Sequence, residues 1–301
     1  MASDTKVVEK LDPENESLTN SPNKGGTVGI VGLGLIGASF AKAYKEAGYT
    51  VLANDIDNSA VLMGKIASFV DGDLTKEKLK DCDLVLICIY PQATVDYVRN
   101  NAAFFRKGGL VMDTGGTKRL VCKECFPVAR KNGFVFVGAH PMAGNKYSGL
   151  KHSRASLFKG APLVIVPETF DDMKLIDRVK EAVAPAQFGS FCLSHADKHD
   201  ELIAFTSQMA HVVSNAYVKS PTAAGHHGFS AGSYKDLTRV AWLNADMWTE
   251  LFMENKDNLI KEIDSLICEL SKYKVAMADD DRNSLKALLE DGSRRKAELD
   301  G

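Results

Sequence analysis

The chain has 301 residues, 45% of them apolar and 25% charged, enough for a sizeable core and two domains and ordinary for a globular protein. A formal net charge of -2 gives no argument for nucleic acid or an anionic membrane as a partner. No apolar run reaches transmembrane length, and the N-terminus lacks the apolar core of a signal peptide.

Residues 1–26 are polar, contain Pro13, Pro22, Gly25 and Gly26, and show no apolar period, so they read as a flexible lead-in. Residues 27–194 alternate strand-like and helical patterns. Val28 to Val31 is a short β-branched run that leads into Gly32-Leu33-Gly34-Leu35-Ile36-Gly37, then a helical pattern to Gly48, then a second apolar run ending at Asn54-Asp55. Asp83 to Tyr90 is a continuous apolar run, as expected of a strand buried on both faces. Leu110 to Asp113, Phe134 to His140 and Ala161 to Pro167 repeat that signal, and Gln187 to Leu193 repeats it more weakly. Gln92 to Arg106 and Asp172 to Ala184 read as helices. The alternation predicts an α/β fold: a Rossmann-type, doubly wound, mostly parallel sheet with helices on both faces, spanning residues 27–194.

After about Ser194 the strand signals stop. Asp200 to Lys219 reads as a helix with Asp197 or His199 near its start. A Gly-, Ser- and His-rich loop follows from Pro221 to Ser233, then a short helix over Lys235 to Leu243. Asn244 or Asp246 can cap a long helix running to about Ala278, and Ser284 to Leu299 forms a last one. Residues 195–301 therefore read as an all-helical second domain. The six cysteines are scattered, and Cys82, Cys88 and Cys192 lie in or beside strand-like runs, which suggests reduced, intracellular thiols. Cys122 and Cys125 form a C-x-x-C with no second Cys or His pair at zinc spacing, so a helix carrying two small residues is favoured and no metal is expected.

The glycine run has the strand–turn–helix–strand context of a dinucleotide site. Gly32 makes the tight turn, Gly34 admits a pyrophosphate to the backbone, and Gly37 permits close helix–strand packing. The N–H groups that open the helix, at Leu35 and Ile36, face the phosphates. Asp55 ends the second strand, where a carboxylate binds a ribose diol and repels a 2'-phosphate, so the expected cofactor is NAD rather than NADP. Ligands of such sheets sit beyond the carboxyl ends of the strands, which directs attention to Asp113-Thr114-Gly115-Gly116-Thr117-Lys118 and to His140-Pro141-Met142-Ala143-Gly144. Pro141 holds His140 extended at a strand tip. An imidazole there either takes a hydroxyl proton near neutral pH or hydrogen-bonds its loop. In the helical half Arg239 suits a carboxylate, though residue type alone favours a solvated helix face for it, and a satisfied core position for His211 and Trp248.

Several of these pieces together resemble the prephenate/arogenate dehydrogenase family of tyrosine biosynthesis. They are Val31 to Ser39, Asp113 to Lys118, Gly138 to Gly144 with Ser148-Gly149, Leu157-Phe158 with Ala161-Pro162, His199-Asp200, Ser207 to His211, Asp236 to Arg239, and Met247-Trp248 with Glu254-Asn255-Lys256. They run in family order from about residue 27 to 260, and the H-P-M-A-G element combined with D-x-T-R is far more specific than the glycine fingerprint. The resemblance implies that His140 takes the proton of the ring 4-hydroxyl. It implies that His211 and Arg239 bind substrate from the helical domain with Lys235 and Trp248 lining the site, that Asp113 belongs to the cofactor side, and that the helical halves form a homodimer in the cytoplasm. Two departures stand out. Members often carry Ser where this chain has Gly116, so a hydroxyl that orients His140 is absent or comes from Thr117. Members also often read Thr-Glu where this chain has Asn145-Lys146. The ammonium of Lys146 would repel the ammonium of arogenate, which favours prephenate. The chain shows no regulatory domain after its last helix, so any tyrosine inhibition is expected at or near the active site. Another dehydrogenase on the same fold, or a non-enzymatic dinucleotide sensor, are the competing readings; the former calls for a Lys in mid-helix where this chain has His211.

Overall fold

The computed structural model describes residues 5–10, 25–144 and 149–300. Its strands are β1 (Thr5–Lys10), β2 (Thr27–Val31), β3 (Thr50–Asn54), β4 (Gly72–Asp73), β5 (Leu84–Ile87), β6 (Leu110–Asp113), β7 (Val135–Pro141), β8 (Pro162–Val166) and β9 (Ser190–Ser194). They lie in one sheet in the order β1-β9-β8-β7-β6-β5-β2-β3-β4. Neighbours from β7 through β4 are parallel, as are β8 and β9, so the expected mostly parallel sheet is present.

Helices α1 (Leu35–Glu46), α2 (Asn58–Ile66), α3 (Pro91–Asn101), α4 (Arg119–Asn132) and α5 (Met173–Val183) connect the strands. The apolar run of β5 shows why both faces must be covered. Leu84 and Leu86 enter one core with Phe40, Phe158 and Ile176, while Val85 and Ile87 enter another with Val98, Val121 and Phe134. Alternate residues of a strand face opposite sides, so a strand buried on both reads as continuous hydrophobe.

Two features differ from the expectation. β8 runs antiparallel to β7, with His140 opposite Val164. A parallel return needs a crossover, usually a helix, and the described part of this connection holds only 3₁₀ turns at Leu150–His152 and Ala155–Phe158. β1 lies inside the stretch read as a flexible lead-in, and pairs antiparallel with β9 from Thr5 opposite Ser194 to Lys10 opposite Ser190. The open edge of β9 offers a backbone ladder that six residues can satisfy without a long apolar pattern.

The second half is helical: α6 (Ala196–Ile203), a π-helical turn (Ala204–Gln208), α7 (Met209–Tyr217), α8 (Gly232–Thr238), α9 (Ala245–Glu254), α10 (Lys256–Ala278) and α11 (Arg282–Asp300). Asn244 caps α9 by accepting the N–H of Met247 at 3.0 Å. The single long helix expected to follow is broken at Asn255, and α10 starts there. The side chain of Asn255 is fully buried, donating to the carbonyl of Asp200 at 2.7 Å and to Oε1 of Gln208 at 2.8 Å. Aiming that amide at α6 and the π turn takes the backbone out of helical geometry. Cys122 and Cys125 are both buried thiols within α4.

Candidate active site

The first turn of the α/β half is built around its glycines. Gly32 sits at φ +89°, and a side chain there would meet the carbonyl of Cys88. A Cβ on Gly37 would lie 1.8 Å from the carbonyl oxygen of Gly32, so α1 packs on β2 only because Gly37 lacks one. At Gly34 the reverse holds: nothing lies within 4 Å of where a Cβ would be. No side chain caps α1 at Gly34, and its first-turn N–H groups remain free to meet an anion. Asp55 lies at the tip of β3; its carboxylate accepts the N–H of Leu33 at 2.5 Å and of Asp57 at 2.8 Å. Open backbone beside a helix N-terminus, with a carboxylate at the adjoining strand tip, fits a dinucleotide.

From this turn a cleft of about 1,090 Å³ runs between the halves. Gly34, Leu35 and Ile36 line one end, Cys88 to Pro91 and Thr114 to Gly116 line the sheet side, and His140 to Gly144 follow from the tip of β7. Ser207, Gln208, His211, Arg239 and Trp248 face them from the helical half.

His140 is half-buried at the end of β7. Its Nδ1 lies 2.9 Å from Nε2 of His199, whose own Nδ1 lies 2.7 Å from Oδ1 of Asp200. Asp200 also accepts the N–H of Lys118 at 2.8 Å and of Arg119 at 3.0 Å, which ties α6 to the start of α4. Burial holds the His140 imidazole well below its ordinary value, helped by His199 and Lys118. Burial also lowers His199, with Asp200 pulling the other way. Burial pushes the Asp200 carboxyl up, but its hydrogen bonds with His199 and the two backbone N–H groups hold it below the usual range. Across the cleft, His211 on α7 donates from Nδ1 to the carbonyl of Val240 at 2.9 Å, and its ring lies 3.8 Å from that of Trp248. Arg239 is exposed to the cleft beside it.

Three expected site residues lie elsewhere. Asp113 is fully buried and is not among the residues lining the cleft: it accepts the N–H of Gly115 at 2.9 Å and of Ala139 at 3.3 Å and is ion-paired with the equally buried Lys118. It shapes the loop after β6 and ties it to β7. Thr117 does not supply the missing hydroxyl to His140, because its Oγ1 donates to Glu254 at 2.5 Å. Lys235 stands exposed on α8 and does not line the cleft. Lys146 lies outside the described residues. Conversely, His199 and Asp200 carry no expected role, although His199 contacts His140 and Asp200 contacts His199. Their signal was a His-Asp pair close behind the last strand, and only the fold brings it to His140.

Two family models cover the chain: the prephenate dehydrogenase nucleotide-binding domain matches residues 40–188 and the prephenate dehydrogenase dimerization domain matches residues 195–291. The chain belongs to the prephenate dehydrogenase family. It is 28% identical over 270 residues to a cyclohexadienyl dehydrogenase of Zymomonas mobilis, covering 86% of this chain and 90% of that one. It is 28% identical over 273 residues to a prephenate dehydrogenase of Bacillus subtilis, covering 86% and 72%. Among solved structures it resembles the prephenate dehydrogenase of A. aeolicus in complex with hydroxyphenyl propionate and NAD+, with a TM-score of 0.79 at 25% identity over 91% of this chain and 98% of that one. In family terms, the α/β half holds the dinucleotide and the helical half is the dimerization domain.

Proposed function

We propose that this chain is an NAD-dependent prephenate dehydrogenase that converts prephenate to 4-hydroxyphenylpyruvate and CO2, working as a homodimer in the cytoplasm. The observation that carries this reading is the placement of His140 at a strand tip in the same cleft as the glycine turn on one side and His211 and Arg239 on the other. The family match and the likeness to a relative bound to NAD+ and hydroxyphenyl propionate support it. A cytoplasmic setting is supported by the six cysteines, all free.

Prephenate carries a ring hydroxyl at C4, a ring carboxylate and a side chain with its own carboxylate. Arg239 holds a carboxylate and turns C4 toward the glycine turn, while His211, kept neutral by burial with its Nδ1–H spent on Val240, offers the substrate the acceptor lone pair of Nε2. His140, kept neutral by burial, accepts the hydroxyl proton through its ring. The Gly32–Gly37 turn and Asp55 would hold NAD, which would supply the acceptor for the C4 hydride. The ring carboxylate leaves as CO2, its bonding electrons enter the ring, and the proton held on His140 returns to the ring oxygen. Aromatisation drives the sequence, so the protein's part is positioning and management of one proton.

Initial-rate kinetics with prephenate and arogenate, each with NAD and NADP, test this reading; turnover confined to neither substrate, or equal use of NADP, refutes it. His140→Asn loses kcat by about two to four orders of magnitude while still binding substrate, and near-full kcat in that variant removes His140 from the mechanism. Prephenate is preferred because Lys146 repels the arogenate ammonium; Lys146→Glu then lowers the prephenate-to-arogenate ratio of kcat/KM several-fold, and an unchanged ratio places the preference elsewhere.

A further inference from the structure

We propose that His199 and Asp200 are positioning residues that lock His140 in the tautomer with hydrogen on Nδ1, so that the lone pair of Nε2 is the one offered to substrate. The inference rests on His140 being the base of the proposed reaction and adds what makes it one. It follows from counting hydrogens along a chain of three side chains. Asp200 is a carboxylate that accepts two backbone N–H bonds, from Lys118 at 2.8 Å and Arg119 at 3.0 Å, and has no hydrogen to give. The hydrogen in its 2.7 Å contact with His199 therefore sits on Nδ1 of His199. A neutral His199 then presents Nε2 as a bare acceptor. Its 2.9 Å contact with His140 needs a hydrogen, and only Nδ1 of His140 can supply it. The other nitrogen of His140 is left with its lone pair.

The opposite arrangement requires a doubly protonated His199. Its Nε2–H would donate to His140, the remaining His140 hydrogen would move to Nε2, and the base would be lost. The surroundings oppose that state. His199 is 2% exposed, and the charged groups around the pair are the ammonium of Lys118, the carboxylates of Asp113 and Asp200, and the Arg119 guanidinium 3.4 Å from Asp200. Lys118 neutralises Asp113 and Arg119 partly offsets Asp200, which still holds a single hydrogen on His199. When His140 takes the substrate's proton on Nε2, its Nδ1–H already points at His199, so the new charge forms against a fixed acceptor backed by a carboxylate. The hydroxyls of the loop after β6 are engaged elsewhere: Thr114 donates to the Ile87 carbonyl at 3.4 Å and Thr117 to Glu254, while Gly115 and Gly116 have no side chain.

The test reads the tautomer without turnover. Long-range ¹⁵N NMR of the full-length protein at neutral pH should show His140 as the Nδ1–H form; an Nε2–H form in the wild type overturns the proposal. His199→Leu should lower kcat about tenfold to a hundredfold, with the KM for NAD within about twofold, because His140 is then free to take either tautomer. His199→Gln should recover most of that loss, since its Oε1 can stand where Nε2 stood and accept the same hydrogen. If the Leu and Gln variants lose kcat equally, His199 only fills space and the proposal fails. Failure of the underlying reading looks different: an active His140→Asn enzyme removes the base while leaving the wild-type tautomer measurable.

Discussion

Acid sensitivity follows from the two buried imidazoles. His140 and His199 bind a proton less readily folded than unfolded, both because of burial. Between their folded values and the unfolded value near 6.5, the unfolded chain holds more protons, so stability falls as pH falls. Their contribution is complete above about pH 6.5 and is lost as the pH drops toward the folded values. Asp200, with its carboxyl held down, adds a second loss that begins only below its unfolded value of about 3.9. We expect Tm to decline between pH 7 and pH 5, before carboxylates protonate, and the decline to be shallower in His199→Gln; parallel Tm profiles would assign the loss to other groups. Much of the site was legible at this scale. His140 could be found because Pro141 fixes it at a strand tip, and the glycines because each has a steric job. Asp113 and Thr117 misled because residue type and loop position do not tell whether a side chain points to ligand or to Lys118 and Glu254. His199-Asp200 stood among the family motif pieces, but its role was not readable, because the contact of His199 with His140 spans 59 residues of chain and exists only once α6 packs on α4.

The β2–α1 turn is where element geometry and ligand binding can be separated. Adding a methyl at Gly37 drives a carbon to 1.8 Å from the Gly32 carbonyl, which forces α1 off β2. Gly37→Ala should therefore destabilise by about 1–3 kcal/mol, as overpacking does, and weaken NAD binding with it. Gly34→Ala meets no protein atom within 4 Å. It should melt within a degree or two of wild type yet raise the KM for NAD by tenfold or more, since the methyl occupies the space a pyrophosphate needs. Thermal melts beside NAD titrations check both, and a folding defect in Gly34→Ala would contradict this division of labour. The strands were readable for a related reason: burial on both faces leaves an unbroken apolar run, as in Leu84 to Ile87. What stayed hidden is backbone-driven or long-range. β1 is held by the edge of β9, the direction of β8 by a connection lacking a crossover helix, and the break at Asn255 by hydrogen bonds to Asp200 and Gln208.

At the scale of the whole molecule, the helical half carries more apolar surface than the α/β half can cover. Ile260, Ile267, Leu270 and Met277 are each more than half exposed along α10. Ile260 and Ile267 are seven residues apart, as are Leu270 and Met277, and Ile267 and Leu270 are three apart, so the four share one side of the helix. Phe229 is 92% exposed and Trp242 is 82% exposed on the same half. A monomer rarely leaves such a stripe in water, and a twofold-symmetric pairing buries it against its own copy without requiring any second surface. We therefore expect light scattering at micromolar concentration to give twice the 32.7 kDa chain mass. Ile267→Glu combined with Leu270→Glu places four carboxylates in one dimer interface, two from each copy, where ionised groups cannot be solvated. That variant should run as a folded monomer with a lower Tm. A wild-type chain that scatters as a monomer, or a double variant that remains dimeric, would move the interface away from α10.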